Sequence, residues 1–435
     1  MYRVFAKTQS VCPECLRTID AEKAVGDDGY IYMLKTCPEH GSFETLIWES
    51  GIVDYLKCDT APGGENAPGV TVPVKDGCPR DCGLCDAHES AGCCVLLELT
   101  KRCNLRCPVC FASAGGISED PTLEDIAALY DMLMERGGPF NIQLSGGEPT
   151  VRDDLPDIVR LGRNKGFSFF QLNTNGLRLA DESGYASELR SAGVSCAFLQ
   201  FDGMDGRVYR VLRGRDLLDT KLLAIENCAA AGLPVVLVPT LVPGVNVGQI
   251  GDILRFALSR APYVRGVHFQ PVSYFGRCEL PEPEMRLTIP RILREIERQM
   301  EDLMKQEDFA GGGAESAYCS FHASYQLQDD GSVKALPRRR SACCCKKSEE
   351  ARDFVAGRWG AQSAENADED AFDRFLREAN ERVFTVSGMA FQDAYNLDLE
   401  RLRRCYINEA DPVHGMVPFC AYNLTARDGR ALYRR

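Results

Sequence analysis

Cys103-Asn104-Leu105-Arg106-Cys107-Pro108-Val109-Cys110 spaces its thiols C-x3-C-x2-C, directly after the apolar run Cys94-Val95-Leu96-Leu97-Glu98-Leu99-Thr100. Three thiolates on one short loop suit three irons of a [4Fe–4S] cube, a cluster that usually takes four cysteines. No fourth cysteine follows at close range, so one iron is left open to another ligand. An open iron lets a cluster bind a cofactor or substrate directly. A cluster that only carries electrons does not need one.

Two further motifs follow at regular intervals. The next strand-like run, 141–144, ends in Ser145-Gly146-Gly147-Glu148-Pro149, and the run 167–172 ends in Asn173-Thr174-Asn175-Gly176. Glycines allow close backbone approach, and a carboxylate at Glu148 can accept hydrogen bonds from an ammonium. Strand and helix patterns alternate from 94 to 275, with strands expected at 94–100, 141–145, 168–174, 196–202, 234–241 and 265–271. Between them, Thr122 is placed to cap a helix whose apolar positions Ile126, Leu129, Tyr130, Leu133 and Met134 recur at helical spacing. The stretches 217–231 and 247–260 read as helices too. Six such units predict a parallel sheet with right-handed crossovers. Sites in parallel barrels lie at the carboxyl ends of strands, where the cysteine loop and both turns fall. Asp202 ends the fourth strand, Asn246 follows the fifth, and His268 and Gln270 end the sixth, with Arg277 just beyond. His268 reads as a structural histidine, whereas Gln270 and Arg277 are candidates to hold a polar head group. Beyond the sixth strand, 286–308 reads as one amphipathic helix with Pro290 in its first turn.

Cysteines also cluster outside this region. Cys12-Pro13-Glu14-Cys15 and Cys37-Pro38-Glu39-His40-Gly41 form two knuckle-like turns with strands between and after them. This is a rubredoxin or zinc-ribbon layout for one iron or zinc ion, with Cys12, Cys15 and Cys37 as ligands. The fourth ligand is Cys58 or His40, and the usual four-sulfur set favours Cys58. The segment 61–69 has linker composition. After it, Cys78, Cys82 and Cys85 repeat the C-x3-C-x2-C spacing. Cys93, or Cys94 beside it, can complete a fully ligated auxiliary cluster. Cys319, Cys405 and Cys420 offer a further auxiliary set, with one of Cys343, Cys344 and Cys345 as fourth ligand. The domain boundaries expected are therefore 1–60 for the metal module, 61–93 for linker and auxiliary cluster, 94–280 for the barrel and 281–435 for a cysteine-bearing α+β extension.

The 435 residues carry a net charge of −13, with 45% apolar and 26% charged residues. That balance argues against nonspecific nucleic-acid binding, and no apolar run reaches the ~18 residues of a membrane span. The first residues lack the apolar segment of a secretory signal. Twenty-one cysteines in such a chain point to metal sites rather than disulfides, and to a reducing, anaerobic cytoplasm.

The cysteine loop, the Gly146-Gly147-Glu148-Pro149 turn and the Thr174-Asn175-Gly176 turn, in this order at successive strand ends, resemble the radical S-adenosylmethionine (SAM) enzymes. The resemblance implies an α/β fold built on a partial (β/α)6 TIM-like barrel. It implies a SAM-binding [4Fe–4S] cluster on Cys103, Cys107 and Cys110, with SAM contacts from Phe111, Ser145, Gly146, Gly147, Glu148, Asn173, Asn175, Asp202, Asn246 and Gln270. The implied activity is reductive cleavage of SAM to a 5′-deoxyadenosyl radical that abstracts hydrogen from an unactivated C–H bond. Its electron would come from a ferredoxin- or flavodoxin-type donor. The wider order of motifs, including Gly77 to His88, Glu98 to Ala112, Phe269 to Arg277 and Pro418 to Asn423, resembles the tetraether lipid synthase branch. That branch carries a rubredoxin-like iron and three [4Fe–4S] clusters. The segment Cys343 to Lys347 departs from it and looks more like the bacterial radical SAM (seleno)protein TrsS subfamily. Outcomes consistent with this resemblance are C–C coupling on a lipid-like chain, sulfur or methyl transfer, or peptide modification. The competing reading is a multi-cluster electron carrier without SAM chemistry, which would need neither the open cluster nor the glycine turn.

Overall fold

The computed structural model describes residues 1–58, 72–83, 85–116, 119–279, 286–311, 316–337, 347–360 and 380–434. The triplet Cys343 to Cys345 and the 61–69 linker lie outside the described residues.

The first four strands, Arg3–Val11, Thr18–Val25, Ile31–Cys37 and Gly41–Trp48, form an antiparallel meander in chain order. Both knuckles sit at its turns. Gly41 opens the last strand at φ +77°, a left-handed conformation that suits glycine and folds Cys37 back toward His40.

The sheet that carries the other motifs runs in chain order through Cys94–Glu98, Asn141–Ser145, Phe170–Thr174, Cys196–Gln200, Val235–Val238 and Val264–Pro271. Every neighbouring pair along it is parallel. Successive side chains of each strand point to opposite faces of the sheet. Val95, Leu97, Ile142, Leu144, Phe170, Leu172, Ala197, Leu199, Val235 and Leu237 pack outward against the helices in the main core. The residues between them face inward. The helix Leu123–Glu135 begins at Thr122 with a full capping box and buries Ile126, Leu129, Tyr130 and Leu133, while Met134 stays partly exposed. The expected 286–308 helix is shorter. It spans Ile289–Met300 and ends where Glu301 takes φ +53°, leaving Leu303 exposed.

The C-terminal segment extends the sheet at both edges. Val383–Met389 pairs parallel with Val264–Pro271 and antiparallel with Ser320–Leu327. On the opposite edge, Ile407–Asp411 pairs parallel with Cys94–Glu98 and turns back into Gly415–Pro418. The helix Lys347–Trp359 closes the inner space from the amino-terminal ends of the strands. There Trp359 packs on Phe198 at 4.8 Å, within an apolar cluster of Phe169, Cys196, Val236 and Val238. The ribbon docks on this C-terminal segment through Lys23, which pairs with buried Asp398 at 2.6 Å, and through buried Lys35, which donates to the Ala394 carbonyl at 2.7 Å.

Candidate active site and metal centres

The three strand-end motifs meet at one place. The thiol of Cys103 lies in the electrostatic field of Cys107, Cys110 and Glu148, and that of Cys107 in the field of Arg213 and Cys110. Burial pushes the Cys103 thiol up to about 12 and raises that of Cys107, a penalty that metal coordination removes by taking the thiolate. Their surroundings are apolar: Leu105, Leu177, Tyr209 and Leu217 form a small cluster around them. Among the described residues, the only His, Cys, Asp or Glu group gathered within 4.8 Å of itself is the ribbon's. Three thiols on one short loop within that apolar cluster suit the cysteine ligation of a [4Fe–4S] cluster with one iron unclaimed.

The glycines act on this loop rather than on open space. A Cβ at Gly146 would stand 2.4 Å from the Thr100 carbonyl oxygen, and one at Gly147 would stand 2.0 Å from that of Arg102. The closeness lets the Gly147 and Glu148 amides donate to Thr100 and Arg102 at 2.7 and 2.9 Å, fixing the approach to Cys103. The Glu148 carboxylate is buried and already accepts from the Thr150 amide and hydroxyl, the Thr174 hydroxyl and the Asn175 amide. It therefore joins the second and third motifs. Asn175 extends the tie to the first motif by donating to Asn104 at 2.7 Å, and its carbonyl accepts from buried Lys221. Burial lowers Lys221 to about 8.

Asp202 and Asn246, expected to meet SAM, are likewise committed within the chain. Both Asp202 oxygens pair with Arg213 at 2.7 Å in a fully buried fork, and Thr240 adds its amide. Arg213 also donates to the Val109 carbonyl, so this pair grips the cysteine loop. The Asn246 amide donates to the Asp202 and Thr240 carbonyls and accepts from Val242. Arg277, a candidate for a substrate head group, instead donates to the Cys107 and Ala114 carbonyls. Sequence reasoning missed Arg213 and Lys221. Their signal was weak: two cations within helices whose partners lie on other strands. His268 bonds Ser387 at 2.9 Å beside Trp359, and burial lowers it to about 4, which fits a neutral structural role.

Other side chains face the inner space with capacity left. Gln143, Gln171 and Asn173 form a chain of amides: Asn173 donates to Gln143, and Gln171 donates to Asn173. The Gln171 carbonyl oxygen is buried with no partner. Ser145 is buried at the head of the glycine turn. Phe111 is partly exposed, packed on Phe419 at 5.7 Å with the Arg434 guanidinium over its ring.

In the ribbon, the ligand atoms of Cys12, Cys15, Cys37 and His40 converge within 4.8 Å of one another. This corrects the expectation of Cys58, which caps the helix Ile52–Lys57 and points its thiol at the Asp54 carbonyl. The two knuckles share one spacing, C-x2-C and C-x2-H, and that spacing outweighed the preference for a fourth thiolate.

The site is thus that of a radical SAM enzyme: the description "Radical SAM superfamily" matches residues 97–257, and "HMPTM N-terminal zinc ribbon domain" matches residues 4–49. A protein of Methanocaldococcus jannaschii named 7,8-dihydro-6-hydroxymethylpterin dimethyltransferase is 35% identical over 97% of this chain and 94% of its own length. The chain belongs to the family of that pterin dimethyltransferase. This whole-chain relative carries neither the tetraether lipid synthase name nor the TrsS name. A GTP 3′,8-cyclase of Rhodopirellula baltica is 29% identical over 43% of this chain and 52% of its own. The crystal structure of Streptococcus suis SuiB bound to precursor peptide SuiA aligns with a TM-score of 0.42 at 14% identity, over 48% of this chain and 46% of the other. Among the described residues, no helix is long and apolar enough to cross a membrane.

Proposed function

We propose that this radical SAM enzyme transfers methyl groups to carbon on a planar, polar, pterin-like ring. The observation that carries the reading is the inward amide chain of Gln143, Asn173 and Gln171 with its orphaned Gln171 carbonyl, together with a whole-chain relative named for pterin dimethylation. Fused heterocycles present N–H and C=O edges that pair with carboxamides. A hydrocarbon chain would leave the Gln171 carbonyl oxygen buried and unpaired, a cost of roughly 1–3 kcal/mol. Gln270, at the end of the sixth strand and with no side-chain hydrogen bond among the described residues, is a further contact for such an edge.

When bound at that cluster, SAM would supply the radical that abstracts hydrogen from a C–H bond. The chain's own residues set the stage. Cys103, Cys107 and Cys110 would hold the cluster, and Ser145, Gly146 and Gly147 hold the backbone against their loop. Glu148 and Asn175 lock the three motifs into one unit. Asp202 and Asn246 act through the backbone they fix, and Phe111 screens the loop from water. Such a site draws on a reducing partner, for which a ferredoxin- or flavodoxin-type protein is the expected class.

The test is anaerobic reconstitution with dithionite, methyl-labelled SAM and 7,8-dihydro-6-hydroxymethylpterin. Methionine, 5′-deoxyadenosine and labelled pterin are the expected products, by mass spectrometry. SAM cleavage with the pterin left chemically unchanged, no methyl added and no hydrogen abstracted, would remove the substrate class and keep the enzyme class.

A further inference from the structure

One side of the inner wall carries charge that the reading above does not use. Parallel pairing sets Glu409, Leu96, Gln143 and Gln171 in one row across four neighbouring strands. Val95 and Leu97 pack against the helices, so the row between them faces inward. Glu98 lies two residues further along its strand, on the same face and beside Ser145. The row therefore opens on a carboxyl and closes on the Gln171 amide. Beyond Gln171 the wall changes character. Cys196 is its partner on the next strand, within the apolar cluster of Phe198, Val236 and Trp359. Half of the wall is polar, and half is apolar and aromatic.

Glu98 and Glu409 differ in what they meet. Glu98 is held: one oxygen pairs with the Arg434 guanidinium, and the other accepts from the Tyr422 hydroxyl at 3.2 Å. Arg434 is itself fixed. It donates to the Asn423 side-chain oxygen through Nε and Nη2, and it lies over the rings of Phe111 and Tyr422 at 5.6 and 5.2 Å. Phe111 follows Cys110, so this brace reaches the cysteine loop. Glu409 is wholly buried, yet neither of its carboxyl oxygens has a hydrogen-bond partner among the described residues. The Arg434 guanidinium stands 3.9 Å away, and the nearby Asn423 amide donates to the Phe419 carbonyl instead. Burial and, after it, the Glu98 charge push Glu409 well above the usual carboxylate range. A buried carboxyl without donors is costly, and the orphaned Gln171 carbonyl oxygen in the same row adds a second cost. Both groups are acceptors. Both call for N–H donors on a molecule that enters the space they face.

We infer that Glu409 selects the substrate by accepting the two parallel N–H donors of a 2-amino-4-oxopyrimidine edge, the 2-amino group and the ring N3–H. The inference rests on the pterin-like reading and adds which edge of the ring is recognised, and by which residue. A carboxylate matches two donors lying side by side in one plane, and those donors favour its ionised form. With that edge on Glu409, the rest of the fused ring turns toward the Gln171 end of the row. Glu98 and Arg434 are positioning residues: they fix the wall beside Glu409 and, through Phe111, tie it to the loop that bears the cysteines.

The experiment uses the full chain, reconstituted anaerobically, and measures binding by equilibrium dialysis. The probes are 7,8-dihydro-6-hydroxymethylpterin and its 2-oxo counterpart, in which a carbonyl replaces the amino group. Wild-type protein should bind the 2-amino compound roughly 10- to 100-fold more tightly, because the 2-oxo group sets an acceptor against an acceptor. Glu409→Gln presents one acceptor and one donor, and should reverse the preference. Glu98→Gln loosens only the brace, and should weaken both ligands alike. If Glu409→Gln fails to load iron, Glu409→Asp carries the test: it should bind both ligands more weakly and keep the wild-type preference. Equal binding of the two ligands by wild-type protein, an unchanged preference in Glu409→Gln, or wild-type affinity in Glu409→Asp would each overturn the role of Glu409 and leave the pterin reading standing. Wild-type protein that binds neither compound would overturn both.

Discussion

The ribbon and the radical site both hold cysteines on short loops, but they are built in opposite ways. In the ribbon, two knuckles on neighbouring strands bring four ligands together within the first 40 residues. At the radical site, three thiols stay apart, and the loop that bears them is gripped by partners distant in sequence. Gly147 and Glu148 hold the backbone that leads into it from one strand end, while Arg213 and Arg277 reach the loop itself from a helix and from beyond the sixth strand. A closed four-ligand site is local and serves folding. A site with an open metal position must be held by the scaffold, because its own ligands leave it incomplete.

The largest test of this contrast is Cys107→Ala, which should abolish 5′-deoxyadenosine formation while leaving the thermal unfolding midpoint nearly unchanged. Gly147→Ala probes the grip itself. The added methyl must displace the Arg102 carbonyl, and a loop shifted by about 1 Å should lower SAM cleavage roughly 100-fold with all three cysteines present. In the ribbon the expectation reverses. His40→Ala should release the ion to a chelator and cost several kcal/mol of stability, with little direct effect on SAM cleavage by the intact fraction. Cys58→Ala should retain the ion, and loss of metal in that variant would restore the four-sulfur set. The smallest effect concerns how the two regions dock. Asp398, paired with Lys23 and accepting from Thr8, has its carboxyl held below the usual range by those partners against the opposing effect of burial. Its stabilising contribution is present above the unfolded value near pH ~4 and fades as pH falls through the lower folded value. Asp398→Asn should cost about 3 kcal/mol at neutral pH and flatten the acid limb of a stability–pH curve.

The chain order of motifs was legible because each depends on a few adjacent residues. Parallel strands buried on both faces read as apolar runs, so the six central strands were visible to within a few residues. The first two ribbon strands, Arg3–Val11 and Thr18–Val25, were missed because their outward residues are polar and charged. The intrachain partners of Asp202, Asn246 and Glu148 were not visible in the sequence, for a common reason. A polar residue at a strand end looks free in sequence, but the fold ties each one up: Asp202 by Arg213 on the helix that follows it, Asn246 by Thr240 at the same strand end, and Glu148 by Thr174 on the next strand. Cys93 was grouped with its nearest cysteines in sequence, whereas pairing of Ile407–Asp411 beside Cys94–Glu98 sets it next to Cys405.

That same pairing has a consequence for how the molecule is made. Both borders of the central sheet are occupied by strands from the last 55 residues described, Val383–Met389 on one side and Ile407–Asp411 on the other. A nascent chain emerges from the ribosome amino terminus first, so the sheet spends most of its synthesis with two bare borders, each a template for pairing with another chain. Cys405 and Cys420 arrive with the same late segment. The cysteine loop at 103–110 is made well before Cys405 and Cys420, so the radical centre is open to the cell's cluster-loading machinery before the sheet's borders are closed.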